Sequence, residues 1–502
     1  MASKSDVSGL GNLEPAVVWS FFSRIADIPH PSNKEDRIRQ GVRAMAQERG
    51  LAVREDPAGN LVIDVPSSPG CGNAPIMVLQ AHLDMVCEKN ADSAHDFDRD
   101  GVSLIIDRDA ASGEQIVRAD GTTLGADNGI GVAMALAAAS ETEVTHGPLE
   151  LVFTIDEESG MTGAKALTPD SFRGRRMLNL DSEEDDVLYI GCAGGCDTTL
   201  SFEYELEQPG GDVVACRVAV TGLRGGHSGS DIHENRGNAI KVLARTLLRA
   251  DPHTLQVASI NGGQLRNAIP RKAEAVVSAP PETIEALRAA ARTVADDVIR
   301  ESAEEQLSIS VQPVPAGDVP AVLPVDQSSR ILATLAALPH GVLAMHPGIE
   351  GLVETSNNLA TVAGSFDNGR RKMRVEIATL SRSSSTSQKE ATVSQITAVG
   401  KLAGAVVRAG NDYPGWEPNM DSPVLSTCRG VYTRLFGEEP KVTAIHAGLE
   451  CGIIGERVGG MDMVSLGPRI ERAHTPEERV YITSVQKSWK YLLAILTELA
   501  RG

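Results

Sequence analysis

The sequence predicts an α/β protein: a mixed, mostly parallel sheet flanked by helices and interrupted by an inserted α+β domain. Three observations carry this. Short apolar strands alternate with helical periodicity in the first part of the chain and again near its end. Between them lies a stretch of different composition that reads strand, helix, strand, strand, helix, strand, the β-α-β-β-α-β order of ferredoxin-like domains. Finally, 502 residues are too many for one hydrophobic core. The expected parts are 1–192 and 411–502, which together build the main sheet, and 193–410, which is inserted.

Composition narrows the class. A hydrophobic share of 42% and a charged share of 23% are those of an ordinary globular protein, and 3% aromatics leave the core to Ala, Val and Leu. The formal net charge of −20 argues against nucleic acid or an anionic membrane as partner. No apolar run reaches membrane-spanning length, and Met1–Asn12 lacks the charged-then-apolar order of a signal peptide. Seven cysteines without CxxC spacing indicate neither a disulfide framework nor a thiolate metal site, so a reducing, cytoplasmic setting is expected.

In chain order, Glu14–Ala26 and, after the His30-Pro31 break, Ser32–Arg49 show helical spacing. Leu61–Val65 and Ile76–Gln80 read as strands, the second running into Ala81-His82-Leu83-Asp84. Thr122–Ala139 places Asp127 at the mouth of a helix too apolar to be anything but buried. Leu149–Ile155 is a strand ending on Asp156-Glu157-Glu158, Arg176–Leu180 a strand ending on Asp181, and Met461–Leu466 a strand before the loop with His474. In the insertion, strands Val213–Val220, Leu255–Ile260, Ala273–Ser278 and Leu307–Val311 alternate with helices Asn238–Leu248 and Glu282–Arg300. The Pro-rich Pro313–Pro324 then leads to a second lobe. It has helices at Ser328–Ala337 and Thr386–Val407, and strands near Gly351–Ser365 and Lys372–Thr379.

Acids and histidines thus follow one buried strand after another, and open α/β sheets build their sites at the carboxyl ends of strands. Each signal has a plainer reading. Asp127 fits an ordinary helix N-cap, His82 and Asp84 a surface pair, Glu157-Glu158 a solvated acidic loop, and Asp181 the start of an acidic run, while His474 is uninformative alone. Against this, two adjacent carboxylates after a buried strand repel each other without a cation. Asp84, two residues from His82 on one strand face, suits the second carboxylate that orients a metal-bound His. Two His and three or four carboxylates are the ligand set of a hydrolytic two-metal centre.

Longer motifs sharpen the picture: LQAHLDMV (79–86), TTLGADNGIG (122–131), DEESGMTGA (156–164), NLDSEE (179–184), GCAGG (191–195), GLRGGHSG (222–229), NGGQLRNAIPR (261–271), YPGW (413–416), HAGLECG (446–452) and MDMVSLGP (461–468). On these the chain resembles, over nearly its whole length, the bacterial aminoacyl-histidine (Xaa-His) dipeptidases. These belong to the di-zinc exopeptidase family that includes carboxypeptidase G and the aminoacylases. The resemblance implies a metallo-dipeptidase acting on Xaa-His dipeptides, β-alanyl-histidine (carnosine) included, with two divalent cations, zinc or else manganese or cobalt. It implies that Asp127 bridges the cations, His82 and Asp181 complete one site, and Glu158 and His474 the other. Asp84 orients His82, and Glu157 is the general base. In an inserted lid, His227 meets the oxyanion, and Asn267, Arg382 and Gly448 line the substrate end, Arg382 following the strand Lys372–Thr379. A related carboxypeptidase or N-acyl-amino-acid deacylase stays open, as does, remotely, a non-catalytic binding protein on this fold. Partners are small peptides, with a homodimer compatible.

Overall fold

In the computed structural model, which describes residues 9–141, 144–367 and 372–501, the chain divides into two units. One comprises Met1–Gly191, Pro418–Ala444 and Leu449–Gly502; the other comprises Cys192–Glu417 and Ile445–Gly448.

Four parallel strands set the geometry of the first unit. Leu149–Thr154, Met77–His82, Arg176–Asn179 and Asp462–Ser465 lie side by side with their carboxyl ends together. All residues of the first two are buried, which is why they read as largely apolar runs rather than alternating ones. Four further strands complete an eight-stranded sheet: Leu61–Val65 and Ala52–Glu55, each antiparallel to its neighbour, on one side, and Val187–Cys192, antiparallel to Asp462–Ser465, then Lys441–Ile445 on the other.

A second sheet of this unit was not legible in the sequence. Leu104–Arg108, Gln115–Ala119, Arg479–Tyr481 and Ile470–Glu471 form a four-stranded antiparallel sheet. Its strands are short and carry charges, such as the Arg118 Nε to Asp107 Oδ2 pair at 2.7 Å, so no apolar run marks them.

The apolar helix Ala126–Ser140 packs on Ala16–Ala26, whose Trp19 and Phe22 are fully buried. Small residues permit the approach: a Cβ on Gly129 would lie 3.3 Å from the Phe22 ring, and one on Gly131 would run into the Leu180 carbonyl oxygen and the Asn128 side chain. The backbone oxygen belongs to the strand end beside Asp181 and has nowhere to go. Gly131→Ala is therefore expected to lower stability by about 1–3 kcal/mol through overpacking, read as a shift in the urea midpoint; an unchanged midpoint would show that the helix slides freely.

The second unit is built on one nine-stranded sheet. Its order is Ser308–Val314, Val214–Thr221, Ala273–Ala279, Gln256–Gly262, Val353–Asp367, Lys372–Ser383, Gly194–Glu205 and Val406–Tyr413, with Gly341–Met345 also on Val353–Asp367. The stretches before and after Pro313–Pro324 are thus halves of a single sheet, joined where Asn261 and Gly262 pair with Ala363 and Val362. Its core is aliphatic, with Val218, Leu243, Val257, Leu287, Leu335 and Ile377 all inaccessible.

Three boundaries differ from expectation. The helix expected at Ser32–Arg49 starts at Asp36, because Ser32–Glu35 is a turn, with Asn33 at φ 65°, whose side chains reach other segments. The helix expected to reach Val407 stops at Leu402, and Val406–Tyr413 is a strand. The second unit also runs past 410: Cys192 and Trp416 exchange backbone hydrogen bonds of 2.9 Å, and Ala193 N donates to the carbonyls of Ile445 and Ala447, drawing 445–448 into it. Among the described residues no helix is long and apolar enough to cross a membrane.

Candidate active site

The carboxyl ends of the four parallel strands carry the first group of side chains. His82 closes Met77–His82 and is buried. Its Nδ1 donates to the Asp84 carbonyl at 2.9 Å and lies 3.4 Å from Asp84 Oδ1, which leaves Nε2 with its lone pair free in the neutral ring. Asp84 accepts from Ser32 Oγ (2.7 Å) and from the amides of Glu157 (3.0 Å) and Glu158 (3.1 Å). Burial opposes its charge, but His82, Ser32 and these donors hold its carboxyl at about 2. It stays a carboxylate and ties the strand carrying His82 to the loop carrying both glutamates.

Asp127 faces two histidines, one with each oxygen. Oδ1 lies 3.1 Å from His82 Nε2 and Oδ2 lies 3.2 Å from His474 Nε2. Asp181 Oδ1 joins the first group, 3.3 Å from His82 Nε2, and Glu158 Oε2 the second, 3.1 Å from His474 Nε2. Asp127 does not act as an N-cap: both its oxygens face histidines, and among the described residues no backbone amide of this helix donates to them.

Electrostatics show what this cluster lacks. Burial and the charges of Asp127 and Glu158 raise the Asp181 carboxyl to about 6 in spite of His82. Hydrogen bonds to Asp127 and Glu158 push His474 up to about 11. Burial, with Asp181, Glu158 and Glu450 nearby, puts Glu157 well above the carboxylate range. Glu158 Oε1 is buried without a hydrogen-bond partner. A site that forces protons onto its own acids wants positive charge, and two nitrogen and three carboxylate ligands suit divalent cations such as zinc, manganese or cobalt.

Two residues that sequence reasoning missed support this cluster. Glu450, fully buried, accepts from Gln80 Nε2 (2.7 Å) and Thr154 Oγ1 (2.6 Å), and Gln80 Oε1 accepts from Asn179. Burial pushes its carboxyl up to about 8. The available signal was Gln80 and Asn179, polar residues inside otherwise apolar strands. The other is Glu478, whose carboxylate takes backbone amides of the Asp127 segment.

The remaining predicted residues lie in the second unit. His227 and Asn267 are brought together: Gly226-His227 pairs antiparallel with Ala268-Ile269, and Ser228 N donates to the Asn267 carbonyl at 2.8 Å. His227 Nδ1 accepts from the amides of Ser230 (3.1 Å) and Gly229 (3.3 Å). The neutral ring therefore carries its proton on Nε2, as an outward donor. Burial and the charge of Arg382 lower its pKa and favour that neutral form.

Arg382, expected to follow a strand ending at Thr379, lies inside the strand Lys372–Ser383, opposite Ser356 and Gly195, and is only 5% exposed. The serines around it are interior cross-strand partners: Ser381 Oγ donates to Asn357 Oδ1 and Ser383 pairs with Thr355, both at 2.9 Å. Its guanidinium meets Tyr413 OH at 3.1 Å and Ser228 Oγ at 3.4 Å, and among the described residues no carboxylate pairs with it. Gly448, half-buried, lies in a loop before the helix Glu450–Arg457.

The family model for peptidase family M20/M25/M40 matches residues 78–498, an interval that spans every candidate ligand. The chain belongs to that family. As an M20 peptidase it is a metal-dependent hydrolase of peptide bonds. It is 40% identical over 494 residues to the cytosol non-specific dipeptidase of Escherichia coli K12, covering 98% of this chain and 99% of that protein. The crystal structure of the aminoacylhistidine dipeptidase from Vibrio alginolyticus superposes with a TM-score of 0.87 at 38% identity, covering 99% of each chain. A tripeptidase from Staphylococcus aureus shares the M20 fold at 18% identity and a TM-score of 0.59, covering 98% of this chain and 100% of that one.

Proposed function

We propose that this M20 peptidase is a dipeptidase that hydrolyses Xaa-His dipeptides, β-alanyl-histidine among them, with two divalent cations, zinc foremost. The pairing of one Asp127 oxygen with His82 and Asp181, and of the other with His474 and Glu158, supports two cations bridged by Asp127. Cations held there would polarise a peptide carbonyl and acidify water. Asp84 keeps His82 in the ligating tautomer. Glu157 takes the proton of the attacking water and passes it to the leaving amine. His227 Nε2–H donates to the oxyanion, while Asn267 and Gly448 line the substrate end. The names of the two whole-chain relatives support a dipeptide substrate. The cytosol is the proposed compartment, on the E. coli relative's name and seven cysteines free of disulfides.

The observation that carries the dipeptide reading is Arg382. A buried guanidinium without a carboxylate of its own is costly unless a ligand supplies one, and its planar fork pairs a carboxylate bidentately. A free dipeptide presents that group one residue beyond the scissile bond. The wild-type protein is expected to cleave aminoacyl-histidine strongly in preference to its C-terminal amide. Arg382→Lys should lose most of that preference, because a point charge does not reproduce the fork. Parallel assays on acid, amide and N-acetyl-amino acid check this: equal cleavage of acid and amide overturns the dipeptidase reading, and preference for the acetyl compound points to a deacylase.

A further inference from the structure

The bridging aspartate has an anchor that the family resemblance did not supply. Glu478 is 2% exposed, and its carboxylate accepts four consecutive backbone N–H groups: Leu124 (2.7 Å) and Gly125 (3.0 Å) on Oε2, Ala126 (2.8 Å) and Asp127 (3.3 Å) on Oε1. Ala126 and Asp127 open the helix Ala126–Ser140, where amides have no partner within the helix, and the same side chain also takes the two amides of the turn before it. Gly125, at φ 70°, makes the turn that lets them converge, and a Cβ there would lie 2.9 Å from the Met85 sulfur.

Glu478 also stands four residues after His474 and immediately precedes the short strand Arg479–Tyr481. That strand pairs with Gln115–Ala119, which leads into Leu124. The turn that delivers the half-exposed His474 therefore also grips the turn that delivers Asp127. These two ligands come neither from the ends of the parallel strands nor from one contiguous segment, and Glu478 joins their segments directly.

We propose that Glu478 is a positioning residue of the cation centre: its carboxylate fixes the Asp127 backbone so that one Asp127 oxygen faces His82 and the other His474. Ligating groups tolerate only about 0.5 Å of misplacement, and loss of a partner behind a ligand typically weakens metal affinity about 10- to 100-fold. The inference rests on the two-cation reading, so its test measures metal binding apart from turnover.

The test uses metal-stripped full-length protein, wild type, Glu478→Gln and Glu478→Asp, titrated with Co²⁺ against a chelator and followed by visible absorption. Glu478→Gln keeps the size but turns an NH₂ group toward two of the four amides; Glu478→Asp keeps the charge but shortens the reach. Both are expected to keep their circular dichroism in the metal-free state, to bind Co²⁺ about 10- to 100-fold more weakly and to show an altered Co²⁺ spectrum. A folded variant with wild-type affinity and spectrum overturns the proposal. So does failure of both variants to fold, which would make Glu478 a residue of the fold alone. Wild-type protein that binds a single Co²⁺ sinks the two-cation reading instead, and the ratio of variant to wild-type affinity still decides Glu478.

Discussion

Asp127→Ala is expected to strip the cations and abolish turnover together. Each Asp127 oxygen serves a different histidine, so the substitution removes a ligand from both groups at once. In the proposed two-cation centre it would also remove the shared anion that screens the cations from each other, a repulsion that grows in a buried, low-dielectric site. Loss of a partner merely behind a ligand costs about 10- to 100-fold in affinity, so loss of a bridging ligand should cost at least about 100-fold. Elemental analysis of the purified variant should find well under two cations per chain, alongside turnover near background. Two retained cations with ordinary turnover would reduce Asp127 to the start of a buried helix.

How visible each candidate ligand is in the sequence follows from how it is delivered. His82, Glu158 and Asp181 follow strands buried on both faces, and a charged residue straight after an apolar run is visible in a sequence. Asp127 and His474 are positioned through the small antiparallel sheet, whose charged strands give no such run. Periodicity fails in the same way at Ser32: it continues the helical pattern, yet its hydroxyl belongs to Asp84, 52 residues away. Around Arg382 composition misled in the other direction. A Ser-rich segment suggests a loop, but these serines find cross-strand partners inside a sheet, where a hydroxyl is as well satisfied as in water. Glu478 gave no signal because an acid bound to distant backbone amides looks, in sequence, like any surface acid, and Glu450 had only the indirect signal of Gln80 and Asn179.

The two adjacent glutamates offer the sharpest separation of roles. Glu158 Oε2 lies 3.1 Å from His474 Nε2, within one of the two groups facing Asp127. Glu157 has no part in either trio, though its carboxyl feels Asp181, Glu158 and Glu450 and is pushed well above the usual range, burial being the main cause. A carboxyl crowded by acids but left out of the ligand set is suited to accept a proton, because positive charge brought to the ligands lowers it back toward the working pH. Glu157→Gln keeps the shape and the backbone bond to Asp84 but removes the proton acceptor. Its kcat should fall about 10²- to 10⁴-fold, with metal content and KM near those of wild type, since the lost interaction belongs to the transition state. Glu158→Gln, by contrast, should lose cation before it loses anything else, because an amide is a far poorer ligand than a carboxylate. Measured side by side, metal content and kcat assign the two residues. If Glu157→Gln loses the cation and Glu158→Gln keeps it, the roles are reversed, and the base is the residue that faces His474.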